Sequence, residues 1–177
     1  TLDALRDMRK ERPFGPRDVK KILVRGSQVT VNHVGWKYVP QGLTSAQLNL
    51  PYCVATLLLD GDVFVDQFTE AKVADPARMA LAEKVEVVHD PEITRLGAKF
   101  RHKVHVEAHL NDGTVMKRTV EAARGSEKHF ATDAEIIEKF EKLAIKVLSR
   151  AQVIRLRDAV LGLEKLADAA ELARLMS

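Results

Sequence analysis

FRHKVHVEAHLNDGTVMKRTVEAA, residues 100–123, is the stretch whose reading decides the fold. Val104, Val106, Ala108 and Leu110 alternate with Lys103, His105, Glu107 and His109, the period of two that separates the faces of a half-buried strand. Asn111-Asp112-Gly113 then turns the chain into a second run over residues 114–123. A two-residue Asp-Gly turn would set Ala108 against Lys117 and Val104 against Glu121, mixing the faces. A three-residue turn with Gly113 in a bulge sets Ala108 opposite Met116, Val104 opposite Val120 and Glu107 opposite Lys117, which keeps each face uniform. An antiparallel sheet with one face packed under helices is therefore expected.

Working outward, residues 85–89 read as a strand preceded by a helix that opens at Asp75-Pro76 and runs to about Lys84. Residues 19–31, rich in Val and Ile, read as another strand with a bulge or bend at Gly26, and residues 32–42 as an ordered loop. Thr44-x-x-Gln47 fits a capping box for one short turn of helix, because Pro51 requires a second helix to start with it in the first turn. That second helix runs through Leu59 to Asp60-Gly61 and is apolar almost all round, so it is expected to be buried on several sides. Residues 2–12 form a short helix that ends at Pro13. After the hairpin, Thr132-x-x-Glu135, Ser149-x-x-Gln152 and Asp168-x-x-Glu171 each pair a capping side chain with Glu or Gln three residues on. These open helices burying Ile136, Ile137, Phe140, Leu143, Ala144 and Val147, then Val153, Leu156, Val160 and Leu163, then Leu172 and Leu175. The expected class is α+β, with a sheet-and-helix domain over residues 1–130 and helices over 131–177.

The composition suits a globular chain: of 177 residues, 46% are hydrophobic and 30% charged. Cys53 is the single cysteine, which excludes an internal disulfide and a zinc framework built on thiolates. The longest apolar run, from Cys53 to Leu59 and interrupted only by Thr56, falls far short of the ~20 residues that span a bilayer, and without the charged, apolar and small-residue regions of a signal peptide at Thr1 none is expected. No membrane partner and a cytoplasmic location are the expectation. The chain opens at Thr1 without an initiator Met, so a fragment or a processed product is expected. Net charge is +3, and the excess lies before Val31: through Arg25 there are eight basic against four acidic residues. Interleaved acids and the lack of an aromatic stacking set argue for a solvated helix face and against a nucleic-acid partner.

Phosphate-binding glycine loops and the Gly-x-Ser-x-Gly nucleophile turn are absent from the sequence. On a helix His105 and His109 would share a face, but on a strand four residues span ~13 Å, too far for two nitrogens to share an ion at ~2 Å. His102, His105 and His109 therefore read as surface histidines, with no metal. Tyr52 and Cys53 stand in the first turn of the buried helix, where unpaired N–H groups favour anions. A phenol there can give a proton or hydrogen bond to a carboxylate or a leaving hydroxyl. Its plain alternative is a core tyrosine with a satisfied hydroxyl. Cys53 reads as a small buried hydrophobe that lacks an activating base nearby in sequence.

Asn49-Leu50-Pro51-Tyr52-Cys53-Val54-Ala55, the following Leu57-Leu58-Leu59-Asp60-Gly61, Asp66-Gln67-Phe68 and AEKVEVVHD over residues 82–90 resemble the second half of the MmgE/PrpD family. The resemblance continues through Asn111-Asp112-Gly113 to Lys139-Phe140 and Leu163-Glu164-Lys165-Leu166. That family includes 2-methylcitrate dehydratase, cis-aconitate decarboxylase and iminodisuccinate epimerase. The resemblance implies a lid-type α+β domain whose terminal helices pack on a missing helical domain, with the active site between the two and no cofactor. The family's His and Lys residues lie mostly in the missing part, about 250 residues upstream in extent. Tyr52 alone matches a residue that faces the pocket. Lys37-Tyr38 falls after the first helix and is not the family's Lys-x-Tyr motif.

The resemblance implies a lyase acting on small di- or tricarboxylates by dehydration of the 2-methylcitrate kind. Epimerisation or racemisation, and decarboxylation, are the alternatives within the family. Tyr52 is the expected catalytic residue, and Tyr52 with Cys53 the expected contacts to a small carboxylate substrate. A different class is an independent binding domain that presents its basic N-terminal face to an acidic partner. Wide apolar stripes on the last helices add the expectation of a homo-oligomer.

Overall fold

Leu5 and Met8, three residues apart, are fully buried on helix α1 (Leu2–Glu11). They lie there because a period near 3.6 gathers them on one face. The computed structural model describes residues 1–176, leaving out Ser177, the last residue of the expected helical segment. The chain divides into two compact units, the first from Thr1 to Arg124 and the second from Gly125 onward.

The first unit is built on a four-stranded sheet of β1 (Val19–Gly26), β2 (Val85–His89), β3 (Val104–Leu110) and β4 (Val115–Val120), in the order β2-β1-β3-β4. Helices α2 (Gln28–Val34), α3 (Leu43–Gln47), α4 (Leu50–Asp60), α5 (Glu70–Val73) and α6 (Pro76–Ala82) connect β1 to β2, and α7 (Pro91–Arg95) follows β2. Ile22 and Val24, Val85, and Val104, Val106, Ala108 and Leu110 share the covered face. Helix α1 lies on β3 and β4, and α4 lies on β2. They add Leu5, Met8, Val54, Leu57 and Leu58 to one core. Each such side chain contributes roughly 1.5–3 kcal/mol relative to exposure, which is what holds the helical layer to the sheet.

The hairpin has the register that the alternation requires. Val104 pairs with Val120, Glu107 with Lys117 and Ala108 with Met116. The loop is the three residues 111–113, closed by the Leu110 amide on the Thr114 carbonyl at 2.8 Å. Gly113 adopts φ 88°, a left-handed conformation that other residues enter only with strain. On the open face Lys117 meets the Glu107 carboxylate at 3.2 Å.

Three local readings are corrected. The sheet is antiparallel except for β1 and β2, which run parallel: the connection over residues 27–84 returns the chain to the end where β1 began. The strand expected to reach Val31 ends at Gly26. Ser27 caps α2 there, its Oγ accepting the Thr30 amide at 3.2 Å and donating to the Arg101 carbonyl at 2.7 Å. Those tertiary bonds override the strand preference of Val29 and Val31. Helix α3 starts two residues earlier than the Thr44 box implies, at Leu43, with Gly42 in the cap position and no side-chain cap.

In the second unit Thr132 with Glu135 and Ser149 with Gln152 form reciprocal capping boxes on α8 (Asp133–Ala144) and α9 (Arg150–Leu161). Asp168 instead precedes the cap of α10 (Ala170–Leu175), its carboxylate accepting the Ala170 amide at 2.9 Å. Val153 and Leu156 are buried, whereas α8 buries none of its apolar stripe: Ile136 and Leu143 are exposed, as are Val147 and Val160. So short a unit has too little surface opposite that stripe to cover it. Among the described residues no helix is long and apolar enough to cross a membrane.

Candidate functional site around Tyr52

Asn49 fixes where α4 begins. Fully buried, it accepts the Tyr52 amide on Oδ1 at 2.8 Å and donates through Nδ2 to the Trp36 carbonyl at 2.8 Å. Pro51 is tolerated in the first turn because its missing N–H has no helical partner to lose. Gly61, at φ 78°, ends the helix in the left-handed conformation.

From this start Tyr52, Thr56 and Asp60 fall four residues apart along one stripe of α4. The Tyr52 ring is fully buried, its centroid 4.9 Å from that of Tyr38 and 5.7 Å from that of Phe68. Its hydroxyl donates to the Gln67 carbonyl at 3.0 Å. Arg78, brought in by α6, places its guanidinium carbon 5.7 Å from the ring centroid, within cation–π range. Arg78 is itself buried; it donates from Nη1 to Thr56 Oγ1 at 2.9 Å and from Nη2 to Asp60 Oδ1 at 3.0 Å. Lys72 takes the other Asp60 oxygen at 2.7 Å.

Burial pushes the Tyr52 phenol above its ordinary pKa, and the Arg78 cation partly opposes that rise. Tyr52 is therefore neutral at physiological pH, a hydrogen-bond or proton donor and not a base. Tyr38 is pushed up to about 12 by burial and by Tyr52 beside it, and donates to the Val73 carbonyl at 2.8 Å. Partial burial would raise the Asp60 carboxyl, but the hydrogen bonds and charges of Lys72 and Arg78 outweigh it and hold it below the usual range.

Tyr52 and Cys53 do not converge. Adjacent helical residues point about 100° apart, and the Cys53 sulfur lies 3.8 Å from the carbonyls of both Ala46 and Gln47. Burial raises its thiol to about 11, so it stays protonated and a poor nucleophile near neutrality. The Tyr52 hydroxyl is covered in this conformation; reaching a ligand requires it to exchange the Gln67 carbonyl for the ligand, with a shift of the turn Val65–Gln67.

The three histidines are dispersed among strand and loop partners. Thr119 faces His105 at 2.7 Å, Glu107 faces His109 at 2.9 Å, and Arg101 donates to His102 at 2.9 Å. The basic N-terminal stretch is largely engaged within the unit. Arg9 donates to the Phe14 and Leu57 carbonyls, both at 3.1 Å. Arg6 meets Asp3 and Asp62, Arg12 meets Asp112, and Lys21 meets Glu86. Those internal pairs weaken the reading of this face as a docking surface for an acidic partner.

Asn49 and Asp60 stand in the sequence motifs and at the helix end but were not expected in the site, and Arg78 carried no sequence signal of its own there. An Asn two positions before a first-turn Pro signals the cap. Leu81 and Ala82, three and four residues after Arg78, signal its inward face.

The sequence model of the MmgE/PrpD C-terminal domain matches residues 1–165. The chain is 33% identical over 162 residues to the "Cis-aconitate decarboxylase-like protein oryM" of Aspergillus oryzae (strain ATCC 42149 / RIB 40), covering 90% of this chain and 33% of that protein. It is 27% identical over 165 residues to the cis-aconitate decarboxylase of Aspergillus terreus, covering 90% of this chain and 33% of that one. Over 179 aligned residues it is 28% identical to the Homo sapiens cis-aconitate decarboxylase, with 98% and 36% covered. The chain thus spans about a third of the length of the curated relatives it matches. On the family match over residues 1–165, the chain belongs to the MmgE/PrpD family, of which it carries the C-terminal domain.

Proposed function

We propose that the chain is the C-terminal part of a lyase acting on small di- or tricarboxylates, in which Tyr52 supplies a hydrogen bond or a proton to the substrate. The observation that carries this reading is the neutral, cation-backed phenol of Tyr52, in a domain whose relatives bear the name cis-aconitate decarboxylase. Loss of carbon dioxide leaves an electron pair on carbon, which spreads onto a neighbouring carboxylate before a proton is added. Proton abstraction in dehydration or racemisation passes through the same kind of anion. A neutral donor aimed at that oxygen stabilises the charge as it develops. Between the chemistries, the relatives' names favour decarboxylation over the dehydration expected from resemblance alone. Cys53 serves the first turn of α4 by packing and not by chemistry. A cytoplasmic, self-associating protein goes with this reading.

The test is turnover by the complete gene product with cis-aconitate, 2-methylcitrate and citrate, reading carbon dioxide release and double-bond absorbance separately. Carbon dioxide from cis-aconitate supports decarboxylation. Loss of water from 2-methylcitrate without carbon dioxide moves the assignment to dehydration, and no turnover of any of the three removes the lyase reading.

A further inference from the structure

We propose that Arg78 is a positioning residue for Tyr52, holding the phenol in place with a guanidinium that two hydrogen bonds pin to the same helix. The proposal rests on the reading of Tyr52 as the group that meets substrate. Arg78 is costly where it stands: its side chain is 3% exposed, and its Nε has no hydrogen-bond partner, with an Asp75 carboxylate oxygen 3.9 Å away. A hydrocarbon side chain of similar volume would fill the same space without the desolvation of a cation. A planar cation against an aromatic ring, anchored by directional bonds, is what the hydrocarbon would lack.

The anchors are on the helix that carries the ring. Thr56 and Asp60 follow Tyr52 at intervals of four, so the two bonds from Arg78 grip the same stripe of α4. Lys72 on the second oxygen of Asp60 fixes that carboxylate and leaves the three groups with one net positive charge. Tyr38 and Phe68 pack on the same ring, and the Gln67 carbonyl receives the hydroxyl. Arg78 is the one charged contact in this set, and so acts on the phenol electrostatically as well as by packing. Its charge opposes the rise in phenol pKa that burial imposes. Arg78 reaches substrate only through Tyr52 in this account.

The experiment is a double-mutant cycle in the complete gene product, with Arg78→Met, Arg78→Lys, Tyr52→Phe and the Arg78→Met/Tyr52→Phe pair. Arg78→Met is expected to lower kcat by roughly 10- to 100-fold, the scale of a small misplacement of a reacting group, with little change in KM. Arg78→Lys keeps the charge and restores part of the loss. In the Tyr52→Phe background Arg78→Met adds no further loss, because the group it positions is already gone. Multiplying losses would show that Arg78 acts independently of Tyr52 and overturn the proposal. Alkaline titration of tyrosine absorbance, with the Tyr52 contribution taken by difference from Tyr52→Phe, supplies a readout independent of turnover. Arg78→Met should move that midpoint upward, and an unmoved midpoint also overturns the proposal. Should Arg78→Met fail to fold, Arg78→Lys carries the test through turnover, because lysine keeps the charge but not the planar pair of directional bonds: an unchanged kcat counts against the proposal. Wild-type turnover in Tyr52→Phe with a shifted midpoint in the Arg78 variants instead removes Tyr52 from the reaction while leaving the coupling between the two side chains standing.

Discussion

Asn49 Oδ1 and the Tyr52 amide lie 2.8 Å apart inside the core, and the other end of the same side chain holds the Trp36 carbonyl. One residue therefore sets both the start of α4 and the path of the preceding loop. Asn49→Ala removes a cap, worth about 1 kcal/mol, and leaves a carbonyl without its donor, worth a further ~1–3 kcal/mol if that carbonyl stays dry. A total destabilisation of about 2–4 kcal/mol should appear as a lower urea midpoint at unchanged slope. A shift under about 0.5 kcal/mol would show that water replaces both bonds.

Tyr52→Phe keeps the ring between Tyr38, Phe68 and Arg78 while deleting the hydroxyl that reaches Gln67. Stability should move by no more than about 1.5 kcal/mol, the net worth of one hydrogen bond. Turnover by the complete protein should fall ~100-fold or more. A structural tyrosine predicts the reverse, a lowered melting temperature with near-normal turnover, so both quantities are to be measured on the one variant.

Asp60 joins two cations, and its acidity gives the fold an acid limb. Its folded pKa lies below the ordinary carboxylate value near 3.9, so this stabilisation is complete above that value. It is lost as pH falls through the depressed folded pKa. Asp60→Asn should flatten the acid limb of the stability profile and cost about 2–3 kcal/mol at neutral pH, between an exposed pair and a buried one. An acid limb as steep as in the wild type would place its origin in other carboxylates.

Cys53 provides a probe of local opening. With its thiol raised to about 11, the thiolate fraction near pH 7 is very small. A thiol-specific reagent should therefore label this chain far more slowly when folded than when unfolded in urea. Labelling of the folded chain at the rate of a free thiol would show that the start of α4 is open in solution.

The paired faces of residues 104–120, the Asn-Asp-Gly turn and the caps at Thr132 and Ser149 were determined by sequence alone, as was the course of α4. Each depends on residues within a few positions of one another, where side-chain period and capping chemistry act directly. Tertiary structure decided the rest. Val29 and Val31 carry strand preference and became helical because Ser27 could reach the distant Arg101 carbonyl. The β2 strand runs parallel to β1 because of where a long connection returns, which no local pattern encodes. Tyr52 was legible as a residue of interest, but its surroundings were not. Arg78 and Gln67 come to it from separate turns of the chain, and only the packing of α6 and the 65–67 turn around α4 determined that a phenol there would face a buried cation and a carbonyl.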